Sequence, residues 1–318
     1  MKIVFMGTPD FAVASLDAIV KAGYNVAAVV TVPDKPAGRG QKLSVSAVKE
    51  YALAHNLPIL QPEKLKDENF LAALKELNAD VFVVVAFRKL PEAVWSMPPK
   101  GTFNLHGSLL PQYRGAAPIN RAVMNGEKET GVTTFFIEKE IDTGKIIFSE
   151  KTQIGENETA GEVHDRLMMI GGELVVKTLH AIETNNYKQT DQHEFVKEGM
   201  LLNAAPKIFK DDCRIDWNKH VNDIHNHIRG LSPYPTAFTD FVSPSVEKYS
   251  VKLFRCEKEI KEHSQQIGTI TSDNRTYIYI AANGGFISVK ELQLSGKKKL
   301  PVKDFLLGFK IEGNWKCE

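Results

Sequence analysis

The sequence predicts an α/β fold in two parts. A mostly parallel sheet with helices on both faces comes first, and a smaller β-rich domain follows. Three observations carry this. Short apolar runs alternate with segments of helical periodicity up to about Asn185, the order expected of β-α-β units. The most apolar run, Val81-Phe-Val-Val-Val-Ala86, shows no alternation, as befits a strand buried on both faces. Beyond Pro206, strand-like runs recur between turn residues at the spacing of a small barrel or sandwich.

The elements follow in order. Lys2–Met6 is an apolar run that stops at Gly7, a buried strand. Asp10 is expected to cap the next helix, whose apolar face is Ala12, Leu16, Ile19 and Val20 and which Gly23 ends. Val26–Thr31 is the second strand, which makes the opening a right-handed β-α-β unit. Residues 32–43 hold two Pro, two Gly, two Lys and one Arg, and read as an exposed basic loop. A helix over Ala47–His55, a strand at Pro58–Leu60 and a helix marked by Phe70, Leu71, Leu74 and Leu77 lead to the Val81 strand. Strands at Thr102–Leu105, Val132–Ile137 and Lys145–Phe148 follow. Val163, Leu167, Ile170 and Leu174 then mark a long helix ending near Ile182. The polar text to Pro206 reads as a linker. After it, Val221, Ile224 and Ile228 mark one helix. Strands are expected at Thr236–Phe241, Tyr249–Phe254, Gly268–Ser272, Thr276–Ala281 and Phe286–Leu292. The expected domains are therefore 1–187, a linker over 188–206, and 207–318.

The chain has 318 residues, 43% of them hydrophobic and 25% charged, which is ordinary for a globular protein. Its 40 basic and 39 acidic residues leave no strong overall field. Residues 207–318 carry 18 basic and 14 acidic residues, a net +4, against −3 for residues 1–206. Cys213, Cys256 and Cys317 are odd in number and far apart, so neither a disulfide framework nor a zinc knuckle is expected. No segment has the roughly 18 apolar residues of a membrane span. A cytoplasmic protein without a membrane partner is the expectation, and a monomer is the expected state.

Gly7-Thr8-Pro9-Asp10 stands where a dinucleotide-binding turn would stand, but G-x-G-x-x-G is absent and Pro9 lacks an N–H. A nicotinamide cofactor is disfavoured, and without GxxxxGK[ST] so is a P-loop. The informative segment runs from Phe103 to Asn120 and follows a strand, at whose carboxyl end ligands of open α/β sheets bind. Asn104 and His106 are two apart and share a side of an extended chain. An amide beside an imidazole can bind an oxyanion and move a proton. Asp142, in Glu138-Lys-Glu-Ile-Asp-Thr-Gly144, is either a turn former or the carboxylate that orients His106. His225 and His227 stand two apart on a helix without a partner set, so they are expected on the surface and no metal site is expected. Lys297-Lys-Lys299 is a basic turn, solvated or in contact with phosphates.

On these residues the sequence resembles the methionyl-tRNA formyltransferase family. Asn104-Leu-His-Gly-Ser-Leu-Leu-Pro-Gln-Tyr-Arg-Gly-Ala-Ala-Pro-Ile119 is similar to the signature of enzymes that use 10-formyltetrahydrofolate, sugar-nucleotide formyltransferases included. Phe5-Met-Gly-Thr-Pro-Asp-Phe11, Pro33-Asp-Lys-Pro-Ala-Gly-Arg-Gly40, Arg214-Ile-Asp-Trp217 and Ile228-Arg-Gly-Leu-Ser-Pro-Tyr-Pro235 resemble the tRNA enzymes in particular. The resemblance implies a Rossmann-like catalytic domain and an OB-like C-terminal barrel that binds tRNA. It implies Asn104, His106 and Asp142 as the catalytic set and Ser108, Leu109, Leu110 and Pro111 as the folate-contacting loop. It implies Arg39 at the acceptor stem of initiator methionyl-tRNA. The co-substrate would be 10-formyltetrahydrofolate, with no metal or nicotinamide. One stretch departs from the family pattern: Ala86-Phe87-Arg88 stands where Ala-Tyr-Gly is usual beside the pterin. A sugar-nucleotide formyltransferase and a non-catalytic tRNA-binding protein are the alternative readings.

Overall fold

The computed structural model describes residues 1–37 and 42–318, so Arg39 lies outside the described residues. In chain order the elements are β1 (Lys2–Gly7), α1 (Asp10–Lys21), β2 (Asn25–Val30), β3 (Lys35–Ala37), β4 (Lys42–Ser44), α2 (Ala47–Ala54), β5 (Ile59–Leu60), α3 (Glu68–Glu76), β6 (Val81–Val85), α4 (Glu92–Trp95), β7 (Thr102–His106), β8 (Arg114–Gly115), α5 (Pro118–Met124), β9 (Glu129–Phe136), β10 (Ile146–Gln153) and α6 (Ala160–Glu183). They continue as β11 (Ala204–Ala205), α7 (Val221–Gly230), β12 (Ala237–Val242), β13 (Lys248–Ile260), β14 (Ile270–Ser272), β15 (Ile278–Ala282), β16 (Gly285–Leu294), β17 (Leu300–Pro301), α8 (Val302–Gly308) and β18 (Lys316–Cys317).

Two compact units result. One comprises Met1–Pro118, Gly131–Thr152 and His164–Ala205; the other comprises Ile119–Thr130, Gln153–Val163 and Pro206–Glu318. Compactness thus groups residues otherwise than the expected 1–187, 188–206 and 207–318. Residues 119–130 and 153–163 go with the C-terminal segment through polar contacts that hydrophobic periodicity does not report. Asn120 Nδ2 donates to the Gly230 carbonyl at 2.8 Å. Arg229 Nη1 donates to the carbonyls of Gly155 and Glu158 at 3.2 and 3.0 Å.

The first unit is built on a sheet of order β10-β9-β7-β6-β1-β2-β5. The pairs β1/β2, β1/β6, β2/β5 and β6/β7 are parallel. β7 and β9 are antiparallel, so the mostly parallel sheet ends on an antiparallel flank. All five residues of β6 are buried, as its lack of alternation requires. Pro9, not Asp10, is the N-cap of α1, and no side chain caps it; Asp10 sits in the first turn, where its charge still favours the helix dipole. Within the expected basic loop, β3 and β4 pair antiparallel. The stretch read as a linker is structured. β11 pairs with β8, and Tyr113 N donates to Asn203 O at 2.6 Å.

The second unit is an antiparallel sheet of order β14-β15-β16-β13-β12-β18, with β17 beside β16. Its ends meet: Cys317 N donates to Gly268 O at 2.8 Å and Ile270 N to Trp315 O at 2.9 Å. The sheet is therefore nearly closed into a barrel, which leaves few unpaired edge groups. Register shifts between Leu253 and Cys256 mark a bulge that helps a long strand curl. Trp217, Phe241, Leu253, Ile280 and Leu292 lie in its core. Among the elements that escaped the sequence reading are α8, whose Val302, Phe305 and Leu306 are buried, and the short β17 and β18. His225 corrects another expectation. It is fully buried on α7, not on the surface. The three cysteines are free and buried.

Candidate active site

β7 positions the first two candidates. Asn104 and His106 alternate with the buried Leu105, so they leave the strand on one side near its carboxyl end. His106 is buried at 6% exposure, and Asn104 is half-buried. Among the described residues the Asn104 amide has no hydrogen-bond partner. A half-buried amide left open at a strand end is available to a ligand.

The chain then turns back over His106. His106 Nε2 lies 2.9 Å from the carbonyl oxygen of Tyr113. The turn is held by its own polar groups. Ser108 Oγ donates to Gln112 O at 2.6 Å, and Thr133 Oγ1 donates to Ser108 O at 2.7 Å while accepting from Leu110 N at 3.2 Å. Of the expected folate-contacting residues, Ser108, Leu110 and Pro111 are buried and Leu109 is half-exposed. Leu110 packs in a small core with Phe135 and Ile146. The loop thus offers a ligand the Leu109 side chain and main-chain atoms.

Asp142 reaches the same place from the turn between β9 and β10. Its φ of +57° is left-handed, which Asp and Asn tolerate better than most side chains. Its Oδ2 accepts from Gly115 N at 2.9 Å and stands 3.9 Å from His106 Nδ1. The two side chains are 14% and 7% exposed, so water screens this pair little. The structure therefore brings Asn104, His106 and Asp142 together around one strand end, as sequence spacing alone did not establish.

The arrangement can donate hydrogen bonds to an oxyanion from Asn104. It can also pass a proton between a bound nucleophile, His106 Nδ1 and the Asp142 carboxylate. Among the described residues no group of three or more His, Cys, Asp or Glu side chains is placed to hold a metal ion.

The departure at Ala86-Phe87-Arg88 costs the backbone nothing at Arg88. The left-handed residue there is Ala86, at φ +47°, and Arg88 has no positive φ. The Arg88 guanidinium turns to the carbonyls of Glu63, at 2.8 Å, and Pro62. Its burial pulls its pKa down.

One contact residue escaped the sequence reading altogether. Gln192, 4% exposed, touches both the Asp142 turn and Arg114 from inside the supposed linker. The one signal available was a capping pattern, Asp191 with Glu194 three residues on, which marks a short 3-10 helix around it.

This chain is similar to known proteins over nearly its whole length. The formyl transferase family model matches residues 1–179, and the model of the formyl transferase C-terminal domain matches residues 207–310. A protein of Bacteroides thetaiotaomicron named methionyl-tRNA formyltransferase is 54% identical over 316 residues, covering 99% of this chain and 98% of its own length. Proteins of the same name from Azobacteroides pseudotrichonymphae and Flavobacterium johnsoniae are 55% and 51% identical, covering 96% and 97% of this chain and 95% and 96% of their own. Among solved structures, an N-formyltransferase from Helicobacter canadensis with folinic acid and dTDP-3-aminofucose superposes with a TM-score of 0.65 at 22% identity, covering 94% of this chain and all of that one. HypX from Aquifex aeolicus with tetrahydrofolic acid gives 0.64 at 17% identity, covering 98% of this chain and 48% of that one. At such identities the structures share the fold.

Proposed function

This chain belongs to the formyl transferase family, and we propose that it transfers the formyl group of 10-formyltetrahydrofolate to the α-amino group of methionyl initiator tRNA. The chemistry rests on one observation above all: the open amide of Asn104 stands at the strand end that carries the buried His106, with the Asp142 carboxylate 3.9 Å from that ring. The choice of acceptor rests on the relatives, which share this chain's whole length, C-terminal barrel included, and bear the name of the tRNA enzyme.

The proposed reaction needs no strong base to begin. An α-amino group has a pKa of about 7.7–8.0, so a useful neutral fraction exists near pH 7. Its nitrogen attacks the formyl carbon, and the carbonyl oxygen becomes an oxyanion. Asn104 donates to that oxygen. Tyr113 O is only an acceptor and already takes the proton of His106 Nε2, so the imidazole acts through Nδ1. When Nδ1 carries a proton it can also donate to the oxyanion, with Asp142 as countercharge. The attacking amine becomes acidic once bonded to carbon. Its proton passes by Asp142 and His106 to N10 of the folate, and the C–N10 bond breaks to release tetrahydrofolate and the formylated amine.

Leu109 and the main chain of the Ser108–Pro111 turn are proposed to line the folate subsite. Arg39 is proposed to contact the tRNA acceptor stem, and residues 207–318 to add phosphate contacts. A cytoplasmic monomer without a metal or nicotinamide cofactor completes the reading.

The test is to incubate the protein with charged initiator tRNA and 10-formyltetrahydrofolate labelled in the formyl group. Label is expected in the N-terminal methionine of the aminoacyl-tRNA. A dTDP-amino sugar offered in its place is expected to stay unlabelled, and the reverse preference would make the chain a sugar formyltransferase.

A further inference from the structure

Gln192 has every hydrogen-bonding direction of its side-chain amide engaged in joining two loops. Its Nε2 donates to the carbonyl of Asp142 at 2.8 Å and to the carbonyl of Gly144 at 2.9 Å. Its Oε1 accepts from Arg114 Nε at 2.9 Å and Nη2 at 2.5 Å. An amide has two donors and two acceptor lone pairs, so all four are used. The residue is 4% exposed, so an unmet bond there carries the cost of a buried polar group.

Of the two loops it joins, one carries Asp142 and the other holds its carboxylate. The Asp142–Gly144 turn sets where the carboxylate starts, and that turn is constrained twice over. Asp142 is left-handed, and a Cβ at Gly144 would lie 1.7 Å from the Phe136 carbonyl oxygen. Arg114 precedes Gly115, whose N–H fixes the Asp142 Oδ2 that faces His106. One side chain therefore links the backbone beneath Asp142 to the strand that grips its carboxylate.

We propose that Gln192 is a positioning residue for formyl transfer, which sets the separation of the Asp142 carboxylate from His106 Nδ1. This rests on the proposed roles of Asp142 and His106. A displacement of about 1 Å in a reacting group can cost about 10²-fold in rate. Freeing the Asp142 turn is thus expected to lower kcat while leaving substrate binding in place.

Two variants separate positioning from stability. Gln192→Met keeps the length of the side chain and loses all four bonds. Gln192→Glu still receives Arg114 but loses both donors, and it places a second carboxylate beside Asp142. The measurement is kcat and KM for both substrates against pH, with folding followed by circular dichroism. Gln192→Met is expected to lose about 10–100-fold in kcat with KM within about threefold of wild type. In Gln192→Glu both donors to the Asp142 turn are lost, so kcat is expected to fall by a similar factor with KM nearly unchanged. Folded variants with wild-type kcat would overturn the proposal. Failure of both to fold would also overturn it, by assigning Gln192 to stability. Asp142→Ala, run alongside, distinguishes the two readings. If it keeps full activity, the role of Asp142 itself fails; if it is inactive while both Gln192 variants are normal, only the positioning role of Gln192 fails.

Discussion

The carbonyl oxygen of Tyr113 lies 2.9 Å from Nε2 of His106, and because a carbonyl only accepts, it assigns the proton of the neutral ring to Nε2. Nδ1 is thereby the nitrogen turned toward Asp142, 3.9 Å away. That distance exceeds a hydrogen bond, so the two groups must close to about 2.6–3.2 Å before a proton passes directly between them.

Asn104→Ala removes the open donor at the strand end. Loss of one oxyanion donor typically costs on the order of 10²–10³ in rate. The expected result is that loss in kcat with folate affinity nearly unchanged, read by steady-state kinetics and a folate titration. An equal loss in folate affinity would place Asn104 in ground-state binding instead.

Gly115→Ala strikes the support of Asp142. Gly115 has φ +127°, and a Cβ there would lie 2.5 Å from the Ala205 carbonyl oxygen. Backbone strain of this kind costs about 1–3 kcal/mol. Both melting temperature and kcat are expected to fall, because the displaced N–H is the one that holds Asp142 Oδ2. A lower melting temperature with wild-type kcat would show that this hydrogen bond is dispensable.

His225 gives a pH dependence of stability. Burial, with Arg229 and then Lys258 nearby, pulls its pKa from 6.5 to about 4. The folded state disfavours the charged ring, so the unfolded chain binds the proton first. This contribution is therefore intact above about pH 6.5, declines as pH falls, and is lost by about pH 4. A shift of this size corresponds to roughly 3 kcal/mol. In urea unfolding between pH 4 and 7, His225→Leu is expected to lose that part of the slope. An unchanged slope would remove His225 as its source.

The same histidine shows how far spacing reports burial. His225 lies four residues after Val221 and three before Ile228, inside the apolar stripe of α7, so the expectation of a surface position overlooked the stripe it sits in. The strands of the first unit were legible because burial on both faces leaves unbroken apolar runs. Asn104 and His106 were legible because a period of two places them on one side of β7. Gln192 was not, because its role is a set of hydrogen bonds to backbone carbonyls 48 and 50 residues away, which no local pattern records. The supposed linker looked structureless for the same reason, since polar side chains and two residues of β11 hold it.

The charge of the C-terminal segment bears on tRNA. A cut at Pro206 would be a poor test, since residues 119–130 and 153–163 pack with 206–318. Lys299 is engaged by Glu291 at 3.0 Å and by the Phe254 ring. Lys297 and Lys298 are exposed, so Lys297→Gln with Lys298→Gln is the cleaner change. Each phosphate left unneutralised lowers the slope of log affinity against log salt by about 0.9 on B-form DNA. A fall of between about 1 and 2 in the tRNA slope is expected, and an unchanged slope would make this turn a solvated one.

Arg39→Ala is expected to raise KM for tRNA while folate affinity stays as it was. Equal losses for both substrates in the same kinetic series would mean that the residue supports the folate site.

The most direct measurement is the single-turnover rate of formyl transfer to methionyl initiator tRNA by His106→Ala, with saturating 10-formyltetrahydrofolate and folding checked by circular dichroism. A loss of at least about 10² in rate with folate binding retained is expected, as for removal of an interaction made in the transition state. A folded variant that transfers the formyl group at close to the wild-type rate would contradict the account.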